Sequence, residues 1–143
     1  MPNRELFLKT TVAAGYVGQL VQRHLDPVGI PAYLLALVTH VRDHQPVTPS
    51  GIAAASGVPL TTLRDNIQRL VDRGLARRIP NPDDARSYLL ELTPEGLALT
   101  KAADPALAGA YDAVEERLPR PLADYERMVD ELNAALAGAL EAP

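Results

Sequence analysis

Arginine, threonine and glutamine side chains cluster on one side of a helical pattern in the middle of this chain. Over residues 60–73 the apolar residues Leu60, Leu63, Ile67 and Leu70 form one helical stripe. The opposite side carries a polar set: Thr61, Thr62, Arg64, Asp65, Gln68 and Arg69. Arginine pairs bidentately with guanine, glutamine with adenine, and threonine contacts thymine methyl groups or phosphates. The pattern therefore indicates a DNA-reading face, although on an isolated helix an ordinary solvated face is the simpler interpretation.

The residues on either side of this segment predict a helix-turn-helix followed by a hairpin. Upstream, Thr48 is an N-cap with Pro49 at the first helical position, and Gly57 ends the short helix Ser50–Ser56. Downstream, the elements follow in the order of a winged helix-turn-helix. They are a stop at Gly74, an extended segment Leu75–Ile79, a turn-rich loop Pro80–Ala85, and a strand Ser87–Leu92.

Helical patterns fill the rest of the chain. One helix is predicted from Glu5 to Leu25 and another from Ala32 to His44, separated by the Pro- and Gly-containing segment 26–31. A further helix opens at Thr93-Pro94-Glu95, and we expect it to break at Pro105 and again at 119–121. In the last helix, apolar residues recur in steps of three and four, as in a coiled-coil seam. The seam comprises Leu122, Tyr125, Val129, Leu132, Leu136 and Ala139.

Residues 48–96 resemble the winged-helix core of MarR-family transcriptional regulators. The resemblance is carried by segments 52–58 and 70–75, by Asp84-Ala85-Arg86-Ser87, and by Leu92-Thr93-Pro94-Glu95-Gly96. In that family the arginine of the wing enters the minor groove and the aspartate helps to hold the loop, roles that fall on Arg86 and Asp84. A guanidinium at a hairpin tip can reach a narrow minor groove, where the negative potential is enhanced. The alternative is an exposed Asp84–Arg86 ion pair, worth about 0–1 kcal/mol.

The resemblance also implies a homodimer and a small-molecule effector. Two copies of one reading helix would contact half-sites about one helical turn apart in a pseudo-palindromic operator. The N-terminal helix and the two C-terminal helices would form the dimer surface, but the sequence leaves open whether the seam packs there or within its own chain. By location and chemistry, the candidates for binding an effector, often an aromatic acid, are Tyr16, Arg23, His24 and Tyr33. No motif supports these four, and core or surface roles are the alternative.

Composition and charge exclude several other classes. The chain has no cysteine, so disulfides, thiolate metal sites and cysteine nucleophiles are excluded. The net charge is −4, but residues 64–86 hold six arginines against four aspartates, while the C-terminal part is acidic. This distribution fits a protein that meets DNA through its middle. The N-terminus has no signal-peptide pattern and no apolar run is long enough to span a bilayer, so we expect a soluble cytoplasmic protein.

Enzymatic and metal sites find little support. His40 and His44 stand four residues apart, a spacing that can chelate zinc, but the glutamate of the metalloprotease motif is missing. There is no phosphate-binding glycine loop and no GxSxG, and the paired carboxylates lie in solvated runs. Surface histidines are the simpler interpretation, and we expect no metal, no cofactor and no catalysis.

Together these patterns predict an α+β, mostly helical fold in one domain, 1–143. Residues 31–96 would bind DNA, and 1–30 with 97–143 would form the dimerisation part. The predicted function is sequence-specific binding of double-stranded DNA by a transcriptional regulator, a repressor released by a small aromatic or phenolic ligand. The alternative is a winged-helix module that binds another protein without specific DNA binding.

Overall fold

The computed structural model describes residues 4–142, and the described part is mostly helical with one small sheet. The elements in chain order are α1 (Glu5–Leu25), α2 (Ala32–His44), α3 (Pro49–Ser56), α4 (Leu60–Asp72), β1 (Ala76–Pro80), β2 (Tyr88–Leu92), α5 (Pro94–Glu115) and α6 (Leu122–Glu141). Residues 1–3 and 143, which the predicted domain includes, lie outside the described residues. No described helix is both long and apolar enough to cross a membrane.

The core lies between α2, α4 and the sheet. Three of its fully buried residues are Val38 on α2, Ile67 on α4 and Leu90 on β2. A fully buried aliphatic side chain of this kind contributes about 1.5–3 kcal/mol. The same burial fixes the orientation of α4, because its apolar stripe faces the core and its polar side is left in solvent.

A capped turn joins α3 to α4. Thr48 Oγ1 accepts a hydrogen bond from the Gly51 amide at 3.0 Å, as expected of an N-cap. Gly57 ends α3 with φ +69°, a left-handed conformation that glycine adopts without strain, and its N–H donates to the Ala53 carbonyl. The helix-turn-helix predicted from these residues is therefore confirmed.

The wing is an antiparallel hairpin of β1 and β2. Its register pairs Ala76 with Leu92 at the base and Pro80 with Tyr88 nearest the loop. Val47 adds a bridge to Leu90, which ties the hairpin to the segment before α3. The tip of the wing is thus held by short strands, whose inner residues belong to the core.

One sequence prediction was wrong: α5 does not break at Pro105 but continues through it to Glu115. Proline removes one backbone donor and crowds the preceding turn. Ala103 is fully buried, and Ala106 and Leu107 pack against the core, so tertiary contacts on both sides hold the helix together. The predicted break at 119–121 is confirmed, since α6 begins at Leu122.

Thr93 connects the base of the wing to the start of α5. Its hydroxyl donates to the Gly74 carbonyl oxygen at 2.6 Å and accepts from the Gly96 amide at 3.1 Å. Thr93→Ala removes both bonds, so we expect it to lower the free energy of unfolding by about 1–2 kcal/mol in urea denaturation. Thr93→Ser keeps the hydroxyl and should recover most of that loss. A serine variant as unstable as the alanine variant would contradict the assignment.

Candidate nucleic-acid interface

Helix α4 presents its polar side to solvent. Leu63, Ile67 and Leu70 are buried against the core, whereas the polar residues predicted to contact DNA are exposed. Those on α4 are Thr61, Thr62, Arg64, Gln68 and Arg69. The fold therefore places all five on one accessible surface.

The N-terminal half of this surface has no partners within the protein. Thr61, Thr62 and Arg64 make no side-chain hydrogen bond or ion pair with any residue from 4 to 142. Their hydroxyl and guanidinium groups are exposed donors on the outer side of the second helix of a helix-turn-helix. In DNA-binding helix-turn-helix proteins, base contacts come from this part of the recognition helix.

The C-terminal half is engaged with neighbouring elements. Gln68 Nε2 donates to Asp72 Oδ1 at 2.7 Å, and its Oε1 accepts from Arg78 Nη2 at 2.8 Å. Arg69 Nη1 donates to Tyr33 Oη at 2.6 Å. Gln68 could pair with a base only by giving up these bonds, so the structure favours a supporting role for it.

Arg78 was missed by the sequence reasoning. It stands on β1, donates to Gln68, and places its guanidinium carbon 5.1 Å from the centre of the Tyr88 ring on β2. A cation over an aromatic face is attracted by the ring. Arg78 therefore links α4 to both strands of the wing. The only signal for it in the sequence is its place among the arginines of residues 64–86.

The wing loop is closed by Asp84. Its Oδ1 accepts from the backbone amide of Arg86 at 2.9 Å, and its carbonyl oxygen accepts from the Ser87 amide at 3.1 Å. Within the described residues the carboxylate of Asp84 makes no ion pair with the Arg86 guanidinium. The alternative of a surface ion pair is therefore wrong for this structure, and Asp84 leaves the Arg86 side chain exposed and unpaired.

Of the six arginines in residues 64–86, four are held by other residues. Arg69 and Arg78 are described above, Arg73 donates to the Gly29 carbonyl at 3.0 Å, and Arg77 pairs with Glu91. Arg64 and Arg86 have no partner among residues 4–142. Arg64 lies on α4 and Arg86 in the wing loop, so α4 and the wing each present one guanidinium without a hydrogen-bond or ion-pair partner in the described part of the chain.

His40 and His44, whose spacing could chelate zinc, stack on each other. Their ring centroids are 4.3 Å apart, and His44 Nδ1 lies 2.9 Å from the His40 carbonyl oxygen. Burial, and then the neighbouring His44, lowers the pKa of His40. The described part of the chain has no group of three or more metal-ligating side chains.

The four residues suggested for an effector are not brought together. Tyr16 and Arg23 are exposed on α1, and half-buried His24 places Nδ1 2.9 Å from the Leu20 carbonyl oxygen. Tyr33 lies at the start of α2, where its hydroxyl accepts from Arg69. No hydrogen bond or ring contact between described residues joins any two of the four.

A different recess lies between α1, α5 and α6. It has a volume of about 420 Å³ and is lined mainly by apolar side chains. They include Val17, Leu20, Tyr111, Val114, Tyr125 and Val129. No described residue of α6 is buried. In its apolar seam Leu122, Tyr125 and Leu132 are half-buried, and the others are exposed.

Comparison with known proteins identifies proteins similar to the winged-helix part. A sequence model of the MarR family matches residues 31–87. The multiple antibiotic resistance protein MarR of Salmonella typhimurium is 32% identical over 81 residues, 57% of this chain and 56% of that protein. The HTH-type transcriptional repressor NicR of Pseudomonas putida is 37% identical over 65 residues, 46% of this chain and 41% of the repressor. The chain thus spans about half the length of the curated relatives it matches.

Solved structures extend the likeness to nearly the whole chain. The transcriptional regulator MOSR of M. tuberculosis, in complex with DNA, superposes with a TM-score of 0.82 at 28% identity over 92% of this chain and 96% of that one. A mutant MarR from E. coli, complexed with operator DNA, gives 0.82 at 23% identity over 90% and 94%. The second likeness shows the shared fold alone.

Proposed function

We propose that this chain is a MarR-family transcriptional regulator that binds double-stranded DNA sequence-specifically; the match of a MarR-family model to residues 31–87 supports this. The observation that carries the proposal is the pair of unpartnered arginines, Arg64 on the reading helix and Arg86 in the wing loop. Arg64, with Thr61 and Thr62, would contact bases and phosphates in the major groove, and Arg86 would enter the minor groove. Asp84 would shape the loop.

Gln68 and Arg69 have a smaller part in this proposal. Arg69 is exposed and only its Nη1 bonds to Tyr33, so its other guanidinium nitrogens would be available to donate to a phosphate. Gln68, held by Asp72 and Arg78, would not touch DNA itself but would fix α4 to β1 of the wing. Residues 31–96 would form the DNA-binding part, and 1–30 with 97–143 the dimerisation part.

Fluorescence anisotropy tests the proposal directly. The full chain would be titrated into labelled DNA from the region upstream of its own gene and into a scrambled duplex, at two salt concentrations. Preference for the upstream DNA, with affinity that falls steeply as salt rises, supports specific DNA binding because neutralised phosphates release counterions. Weak, equal binding to both duplexes, together with no preferred sequence in a selection from random DNA, would overturn the proposal. That result would favour a module that binds another protein.

We also propose that the regulator is a homodimer formed through α1, α5 and α6. Large apolar side chains on α1 and α6 are exposed in the single chain. Val17, which lines the recess described above, is 60% exposed, and Leu140 near the end of α6 is 84% exposed. An apolar surface of this extent, on helices with a coiled-coil seam, favours burial against a second copy.

Val17→Asp tests the dimer. A carboxylate on the recess would be buried without a partner in the interface, so we expect the dimer dissociation constant to rise by roughly 100-fold. Light scattering after size exclusion should then report a monomer at concentrations where the parent chain is dimeric. Ala98→Asp, on an exposed position near the start of α5, adds the same charge and should leave the mass unchanged. Equal masses for the parent chain and both variants would contradict the proposed surface.

Repression, with release by a small aromatic or phenolic ligand, completes the proposal. The repression is supported by the likeness to a protein named as a transcriptional repressor. Adding benzoate or phenol to the anisotropy assay tests the release, which should appear as a lowered anisotropy that a non-aromatic carboxylate such as acetate does not produce. Substituting Tyr16, Arg23, His24 or Tyr33 in turn would show whether any of the four contributes.

A further inference from the structure

Asp65 lies at the centre of the exposed side of α4. Successive residues of an α-helix are rotated by about 100° around its axis. The buried Leu63, Ile67 and Leu70 define the direction of the core. Asp65 points within about 15° of the opposite direction, whereas Arg64 lies about 90° away from that direction, at the edge of the exposed side. If this side enters a groove, Asp65 is the side chain that points most directly at the base pairs.

The carboxylate of Asp65 has no partner within the protein. It is exposed, and no residue from 4 to 142 donates a hydrogen bond to it or forms an ion pair with it, including its neighbour Arg64. Three other acidic residues of this part are engaged. Asp72 accepts from Gln68, Asp84 from the Arg86 amide, and Glu91 from Arg77. No contact among the described residues therefore gives Asp65 a role in stabilising the fold.

A lone carboxylate in a DNA-facing position has a definite chemical preference. Phosphates repel it, so it opposes non-specific binding. In the major groove it can only accept hydrogen bonds, and the exocyclic donors there are cytosine N4 and adenine N6. Guanine presents two acceptors and thymine one. Adenine also places its N7 acceptor beside the amino group, where it would face the second carboxylate oxygen, so cytosine is the better partner.

We propose that Asp65 is a specificity-determining residue that accepts a hydrogen bond from cytosine N4 at one position of each operator half-site. The inference rests on the proposed DNA-binding function and adds the base that this residue selects. Asp65 would act by penalty as much as by attraction, because guanine and thymine offer the carboxylate no donor, and adenine sets its N7 acceptor beside its single amino group.

Selection from random duplex DNA tests the inference on the full chain. Asp65→Ala should remove a preference of roughly tenfold for one base at one position per half-site. It should also raise the affinity for scrambled DNA by roughly tenfold. Asp65→Asn should move the preference at that position from cytosine to adenine, since an amide pairs with adenine N6 and N7. Asp112→Asn, an exposed aspartate on α5, makes the same change of charge and should alter neither property.

The outcomes separate the two proposals. If the parent chain selects a motif and both Asp65 variants select the same base at every position, the inference is overturned and the proposed function stands. If the parent chain selects no motif and binds scrambled DNA equally well, both are overturned. Unchanged circular dichroism and thermal unfolding of the variants would exclude misfolding as the cause of any difference.

Discussion

Arg86→Ala is expected to weaken specific DNA binding by about 100-fold, because both wings of a dimer would lose one guanidinium worth about 1–2 kcal/mol each. Arg86 is exposed, and its side chain has no partner among residues 4–142, so the substitution costs the fold little. The guanidinium would sit in a narrow minor groove with enhanced negative potential. Fluorescence anisotropy at two salt concentrations would measure both the loss of affinity and a shallower dependence on salt.

Arg120→Ala is the matched control for Arg86→Ala. Arg120 is also exposed and lies between α5 and α6, away from the wing. The two variants have the same net charge, so a general electrostatic effect would weaken both alike, and only a direct contact separates them. Arg86→Ala binding as tightly as Arg120→Ala, with the same salt dependence, would remove the wing from the DNA interface.

Local signals explain why the elements of the site could be predicted from the sequence. Thr48 and Thr93 cap helices through bonds to amides three residues away, and Gly57 and Gly74 adopt positive φ within the turns they form. The Asp84 bond to the Arg86 amide is equally local. Such features depend on neighbouring residues, so the pattern of residue types is enough to place them.

The features that could not be predicted from the sequence depend on contacts between residues that are far apart in the chain. Arg69 bonds to Tyr33 and Arg73 to Gly29, partners 36 and 44 residues away in the chain. An arginine on a polar helix face gives the same sequence pattern whether it meets DNA or another helix. Only the folded chain separates Arg64, which has no partner, from Arg69. The continuation of α5 through Pro105 has the same origin, since packing outweighed the local preference of proline.

Among the described glycines, Gly96 on α5 leaves the least room for a side chain, because the backbone of Leu75 at the base of the wing lies against it. A Cβ added there would lie 2.0 Å from the Leu75 carbonyl oxygen and 3.4 Å from the Leu92 Cβ. That carbonyl also accepts a hydrogen bond from the Thr93 amide at 3.1 Å, so it is fixed by the same junction. Because the obstructing atom belongs to the backbone, no side-chain rotation can relieve the clash.

Gly96→Ala is therefore expected to lower the free energy of unfolding by about 3 kcal/mol, through overpacking at a rigid contact. For a chain of 143 residues this corresponds to a fall of about 10 °C in the melting temperature. Urea and thermal denaturation at one fixed protein concentration would measure it, since the proposed dimerisation would make both concentration-dependent.

Gly138→Ala is the control. No heavy atom beyond its chain neighbours and the nearby backbone of α6 lies within 4 Å of a Cβ there, and the better helix propensity of alanine should stabilise α6 by up to about 1 kcal/mol. Equal stability of the two variants would mean that α5 can move away from Leu75, and that the junction between the wing and α5 is not rigid.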